Sequence, residues 1–179
     1  TLPLPLWKTI TVDQSDLLIG HEVGPALYSD DIEAVKTSHQ FPGLHTYINV
    51  LEDVRIERRV QEEFPGLRGS FTRGYRDFFN HGPIFQLEQP IEKYDFIDRI
   101  NIHYKIGAHV SVPFSDAERL VLARIDKCRT MQEVVALARE LWNGQKKQNE
   151  EKPQQGQQSE PQQGQSGSDQ SAAPSAGQS

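Results

Sequence analysis

One stretch of the chain, residues 44–64, spaces its apolar side chains as an amphipathic α-helix requires. It reads LHTYINVLEDVRIERRVQEEF, and its apolar residues recur at intervals of mostly three and four positions. An α-helix turns once in about 3.6 residues, so this spacing places them on one face. Pro65 and Gly66 predict where the helix ends. An apolar face of this length must be buried against other elements, which favours a helical core.

Other segments also predict helices. The stretches 13–28 and 67–79 carry apolar residues at helical spacing, and 93–110 does so with Gly107 as its expected stop. Two further starts match the capping box, in which a Ser or Thr and a Glu three residues later satisfy free N–H groups. These are Ser115 to Glu118 and Thr130 to Glu133. Almost nothing alternates with period two, so the sequence predicts a mainly α fold.

The composition changes sharply near Gly144. No Val, Ile, Leu, Met or aromatic residue occurs between Gly144 and Ser179, and PQQGQ occurs twice there. Such a segment cannot bury enough apolar surface to offset its chain entropy. We therefore predict a compact multi-helix domain over residues 1–143 and a disordered tail or linker over 144–179. PLPLWKTI near the start predicts a short extended segment before the helices.

Charge and cysteine content exclude several classes of protein. The 179 residues carry a formal net charge of −6, which argues against a general nucleic-acid binder, since such proteins need a cationic surface. A single cysteine, Cys128, excludes an internal disulfide framework and fits a reducing compartment. No apolar run approaches the roughly 20 residues of a membrane span, and the first residues do not have the pattern of a signal peptide.

The stretch HEVGP, beginning at His21, matches the first half of a zinc-protease motif. In His-Glu-x-x-His, two imidazoles one helical turn apart bind one zinc ion, and the Glu acts as general base toward the attacking water. Here His21 and Glu22 are present, but Pro25 stands where the second His belongs. A third ligand usually comes from another helix, and a Glu-rich helix with Glu52, Asp53 and Glu57 follows at a suitable distance.

A His-Glu pair alone is a weak signal. A chain with 6 His and 25 acidic residues will contain such pairs by chance, so the simpler interpretation is a half-exposed His beside a solvated Glu. His45 could replace the missing ligand only by reaching Glu52 across two turns of one helix, which is strained for direct chelation. The residues alone leave both interpretations open.

Three segments together resemble a known family. They are LLIGHEVGPALYS, LHTYINVLEDVRIERRVQEEFPGLR and DRINIHYKIGAHVSVPF. The combination resembles a group of zinc metallopeptidase-like proteins of large tailed bacteriophages, similar to the amino-terminal region of cobaltochelatase T-subunit-like proteins. The resemblance covers nearly all of residues 4–143, and NVLEDVRIERR is its most specific part. In that family a Gln-, Gly- or acid-rich linker often leads to a von Willebrand factor A-like domain.

The resemblance implies a role for each matching residue. His21 would be a zinc ligand, Glu22 the catalytic base and Glu52 the third ligand, with Asp53 as a carboxylate that orients an imidazole. The second His ligand has no counterpart, because Pro25 stands there. Proline also removes the N–H that would bond to the carbonyl of His21, so we expect a kink and an impaired zinc site.

Three functions follow as expectations. The first is a zinc-dependent hydrolase of peptide bonds, and the second is a non-catalytic pseudo-peptidase that acts as a scaffold for a protein partner or a tethered domain. The third, from the resemblance alone, is an accessory module of a chelatase-like ATPase complex. The expected partners are a peptide, a protein substrate or a protein partner. The expected location is the cytoplasm of an infected bacterium or the virion.

Overall fold

The structure, a computed structural model, describes residues 10–29, 41–81 and 87–151. Within these ranges the chain forms six α-helices and one 3-10 turn, with no strand, which confirms the mainly α prediction. The helices are α1 (Val12–Tyr28), α2 (Pro42–Glu63), α3 (Leu67–His81), α4 (Phe96–Ile106), α5 (Asp116–Ile125) and α6 (Met131–Glu151). The 3-10 turn, Ile91–Lys93, precedes α4.

Side chains at the helix starts fix several boundaries. Ser115 caps α5 in a capping box with Glu118, and Thr130 forms the same reciprocal pair with Glu133 before α6. Both capping boxes are therefore confirmed. A third, formed by Thr11 and Gln14, begins α1 and follows the same Ser/Thr-x-x-Glu/Gln pattern. At the other end of a helix, Gly107 follows α4 as expected.

Helix α2 belongs to two hydrophobic clusters. Its first half, including Leu44, Ile48 and Leu51, packs with residues of α4, α5 and α6. Its second half contributes Ile56 and Val60 to a cluster with α1, α3 and α4. Burial of these apolar faces is the main stabilising contribution to the fold. The polar residues between the two halves of α2 consequently lie where the clusters meet.

The other helices are arranged around α2. Helix α1 packs most extensively against α3 and also against α2, while α6 lies along α2. Helix α4 contacts both α2 and α3. This arrangement brings α1, α2, α3 and α4 to one side of the molecule, where the candidate site is found.

Two predictions about the ends of the chain concern residues outside the described ranges. These residues are 3–9 of the predicted extended segment and 152–179 of the predicted tail. Residues 144–151, which we assigned to the tail, continue α6 as a helix. Extending an existing helix fixes one residue per added hydrogen bond, so Gln, Lys and Glu continue it readily even without apolar contacts.

Candidate metal site

Three side chains from two helices converge at the seam between the clusters. His21 lies on α1, and Asp53 and Glu57 lie on α2. One potential ligand atom from each lies within 4.8 Å of the other two. Asp53 and Glu57 are four residues apart and therefore share one face of α2. Among the described residues, this is the group of His, Cys, Asp and Glu side chains whose geometry could hold a metal ion.

Two glycines of α1 allow this convergence. A Cβ atom at Gly20 would lie 2.8 Å from the Phe71 ring of α3, and one at Gly24 would overlap the side chain of Ile56 on α2. Real Cβ atoms essentially never come that close to a neighbour. The glycines flank His21 along the helix, so the close approach of the backbones positions its imidazole against α2.

His21 is bound to Glu57. Its Nδ1 lies 3.0 Å from Oε1 of Glu57, and the imidazole donates because the ionised carboxylate can only accept. The hydrogen bond to Glu57 raises the pKa of His21, against an opposing contribution from burial. The hydroxyl of Tyr75 donates to the same oxygen of Glu57. Burial raises the pKa of Tyr75 well above its usual value, so that hydroxyl keeps its proton.

Asp53 is bound to a lysine from a third helix. Nζ of Lys105, on α4, lies 3.0 Å from Oδ2 of Asp53. The Lys105 side chain is only 14% exposed, and its ammonium also lies 5.8 Å from the centre of the Tyr75 ring. Both carboxylates of the cluster are thus held by donors from neighbouring elements.

Glu52 lies in a different environment from Asp53. Its carboxylate accepts hydrogen bonds from Nε of Arg55 at 2.7 Å and from the hydroxyl of Ser29. Arg55 is itself 3% exposed and donates to the carbonyl oxygens of Tyr28 and Arg129. Glu52 therefore belongs to a buried ion pair that ties α2 to the end of α1. It is not one of the three residues of the candidate metal cluster.

Glu22 and Pro25, the other two positions that matter in the HEVGP stretch, lie on the same helix as His21. Glu22 is half-buried next to His21 and is not part of the three-residue cluster. Helix α1 continues past Pro25 to Tyr28, and Pro25 is exposed. Proline costs the helix the hydrogen bond from residue 25 to the carbonyl of His21, and packing of the buried face at Leu17, Gly20 and Gly24 holds α1 together across that position.

Sequence reasoning did not find two components of the site. Tyr75 and Lys105 come from α3 and α4, and neither position carries a local motif. From the sequence alone, Glu57 is only one of several acidic residues on a Glu-rich helix. The signal that could have favoured Glu57 is its spacing of four residues from Asp53, which places the two carboxylates on one helix face.

The donor set fits a divalent cation. Zinc accepts imidazole nitrogen and carboxylate oxygen at about 2.0–2.2 Å, which puts neighbouring ligand atoms of a tetrahedral site about 3.3 Å apart. The present separations are up to 4.8 Å, so the three side chains would have to draw closer together around an ion. The Tyr75 hydroxyl on Glu57 is the kind of outer hydrogen bond that commonly orients a ligating carboxylate.

Comparisons with known proteins do not identify a function for this site. None of the described helices has the length and apolar character needed to cross a membrane. A scan against protein-family models gave no match, and neither curated proteins nor solved structures showed significant similarity to the chain.

Proposed function

We propose that this chain is a zinc metallopeptidase-type domain whose metal is held by His21, Asp53 and Glu57. The observation that supports the proposal is the convergence of one imidazole and two carboxylates from α1 and α2 within 4.8 Å. These donor types suit zinc, and three protein ligands leave a position open, as in catalytic zinc sites.

The residues of the chain have separate roles in this proposal. Asp53 and Glu57 on α2 take the places of the second imidazole, which is missing because Pro25 stands there, and of the carboxylate ligand expected at Glu52. Tyr75 orients Glu57 through its hydroxyl. Glu22, beside His21 on α1, accepts the proton of the attacking water and passes it to the leaving amine. A bound zinc ion would supply Lewis acidity toward the substrate carbonyl and the water.

We expect the hydrolysis to be slow. Zinc with two imidazoles and one carboxylate has a net charge of +1, whereas zinc with one imidazole and two carboxylates has a net charge of zero. A less positive centre polarises a carbonyl and acidifies water less strongly. The replacement of the second His by Pro25 therefore lowers the catalytic power of the site while leaving a metal-binding donor set.

Metal binding is tested by measuring zinc affinity through competition with a chromogenic chelator. We expect wild-type protein to bind one zinc ion and His21→Ala to bind it more weakly by over about 100-fold, since outer partners alone are commonly worth about 10- to 100-fold. His81→Ala is the matched control, because His81 is exposed at the end of α3. Equal affinity of wild type and His21→Ala would exclude this site.

Catalysis is tested separately with a library of fluorescence-quenched peptides. We expect cleavage that a chelator abolishes and zinc restores, and that Glu22→Gln removes without changing zinc affinity. If Glu22→Gln cleaves as fast as the wild type, Glu22 is not the base.

A non-catalytic scaffold is the second candidate, and one observation favours it. Asp53 is already neutralised by Lys105, and Glu57 is already bound by His21 and Tyr75, so the cluster is stable without any ion. A protein of this kind would show no peptide cleavage with saturating zinc. It would also unfold at the same temperature with zinc as with chelator.

A further inference from the structure

Lys105 places an ammonium group against a proposed metal ligand. Its ammonium lies 3.0 Å from Oδ2 of Asp53. A metal ion bound to that oxygen at about 2.0–2.2 Å would lie within about 5 Å of the ammonium. Two positive charges so close together in a half-buried site repel each other strongly, because little water screens them.

Lys105 has restricted freedom to move away. It is the penultimate residue of α4, its side chain is 14% exposed, and the next residue, Ile106, is completely buried. The ammonium is therefore tethered beside Asp53 at a high effective concentration. In this same position the ammonium lies 5.8 Å from the centre of the Tyr75 ring, so the ring also helps to hold it beside Asp53.

We propose that Lys105 is a built-in competitor for the metal, so that the Lys105–Asp53 ion pair and a metal ion bound to Asp53 exclude each other. This inference rests on the metal site proposed above and adds a control on its occupancy. The protein then has two charge-compensated states. In one, the lysine neutralises Asp53, and in the other a divalent cation does so and Lys105 withdraws.

The alternative role for Lys105 predicts the opposite change in metal affinity when the lysine is removed. A donor that only orients Asp53 for the metal would help binding, and its removal would weaken metal affinity. A competitor would hinder binding, and its removal would strengthen it. Zinc affinity of a charge-removing variant therefore separates the two roles.

The experiment compares zinc affinity of the full chain and three variants by chelator competition. Lys105→Gln retains a hydrogen-bond donor without the charge, Lys105→Arg retains the charge, and Lys127→Gln removes an exposed lysine elsewhere. We expect Lys105→Gln to bind zinc about tenfold more tightly or better, as expected when a unit charge beside a divalent ion is removed. Lys105→Arg and Lys127→Gln should bind no more tightly than the wild type.

Thermal unfolding gives an independent readout. In chelator, Lys105→Gln should unfold at a lower temperature than the wild type, because Asp53 has lost its counter-ion. Zinc should raise the unfolding temperature of Lys105→Gln by more than it raises that of the wild type. A variant that loses stability equally with and without zinc would show a purely structural lysine and overturn the inference.

A measurement on the wild type avoids any folding defect of a variant. Amine-reactive labelling followed by mass spectrometry should show Lys105 becoming more reactive when zinc is added, because the metal releases it from Asp53. Lys127 should label equally in both conditions. Unchanged or reduced labelling of Lys105 with zinc bound overturns the competition.

The possible failures can be told apart. If wild type binds zinc and Lys105→Gln binds it equally or more weakly, the competition is wrong and the metal site stands. If neither the wild type nor any variant binds zinc, even at millimolar metal, the proposed metal site is wrong. The proposed competition is then wrong as well. If zinc binds only when the charge of residue 105 is removed, the competition is supported in its strongest form.

Discussion

At the scale of single residues, neighbouring acidic side chains on α2 have different roles. Glu52 is held by Arg55 and Ser29, whereas Asp53 is held by Lys105. Consecutive residues of a helix point about 100° apart, so the carboxylates of Glu52 and Asp53 face different neighbouring elements. The buried Glu52–Arg55 pair joins elements of the fold, and the Asp53 face meets the imidazole of His21.

The buried pair leads to a prediction about stability. Arg55→Met should destabilise the protein by about 3–5 kcal/mol, because it leaves the carboxylate of Glu52 buried without its counter-ion. Urea denaturation measures the change in the free energy of unfolding. Arg129→Met is the control, since Arg129 pairs with Glu62 at the exposed surface and should change stability little. A similar loss in both variants would contradict the distinction between the two pairs.

Part of the candidate site could be predicted at this scale. His21, expected as a metal ligand, and Asp53, expected as a carboxylate that orients an imidazole, both lie in the cluster, whereas Glu52, the expected third ligand, does not. Glu57 requires knowledge of which face of α2 meets α1, which depends on how the two helices cross. Lys105 and Tyr75 reach the site through tertiary packing, so no pattern in their own neighbourhood indicates them.

At the scale of elements, the positions of the helices agree closely with those predicted from the sequence. Apolar spacing and capping residues follow local rules, and the predicted helices appear with bounds close to those expected. Helix α1 continues past Pro25 because the packing of its buried face, at Leu17, Gly20 and Gly24, offsets the hydrogen bond lost at the proline. Helix α6 extends over residues 144–151, which the sequence does not predict because they have no apolar pattern.

The glycines of α1 and α6 should respond oppositely to alanine. Gly24→Ala should cost about 1–3 kcal/mol, because its Cβ would meet Ile56 and force α1 away from α2. Gly144→Ala should stabilise by about 0.5–1 kcal/mol, because α6 has open space there and alanine favours helix. Thermal and urea denaturation of both variants test this pair. A stabilising Gly24→Ala would mean that α1 does not approach α2 closely.

The start of α6 should make stability depend on pH. Glu133 accepts hydrogen bonds from the backbone N–H groups of Arg129 and Thr130, which lowers its pKa below the usual 4.5. A lowered carboxyl pKa stabilises the fold above the unfolded value, and that contribution is lost as pH falls through the folded value. Glu133→Gln should therefore lower the unfolding temperature at pH 7, with the difference shrinking below pH 4.5. A difference that persists at pH 2 would assign the effect to packing.

At the scale of the whole molecule, α2 makes the two hydrophobic clusters one cooperative unit. Leu51 and Ile56 belong to different clusters but lie on the same helix, with the polar residues between them. Unfolding one cluster would expose half of α2 and remove support from the other half. Small domains built this way commonly unfold in a single transition.

Cooperativity can be measured by comparing a probe of the first cluster with a probe of the whole chain. In a Trp7→Phe variant, Trp142, which packs against the first cluster, is the sole tryptophan and reports on that cluster. Its fluorescence and the helical circular dichroism of the whole chain should give coincident urea denaturation curves. Two separated midpoints would show that the clusters unfold independently despite sharing α2.

The position of the polar residues at the seam also has a kinetic consequence. The middle of α2 is covered from both sides, so its backbone amides should exchange with solvent deuterium only when the whole domain opens. A ligand held by Asp53 and Glu57 would not share that protection, because the side chains of His21 and Asp53 are 33% and 30% exposed. The rate of ligand release should therefore be independent of the rate at which the domain unfolds.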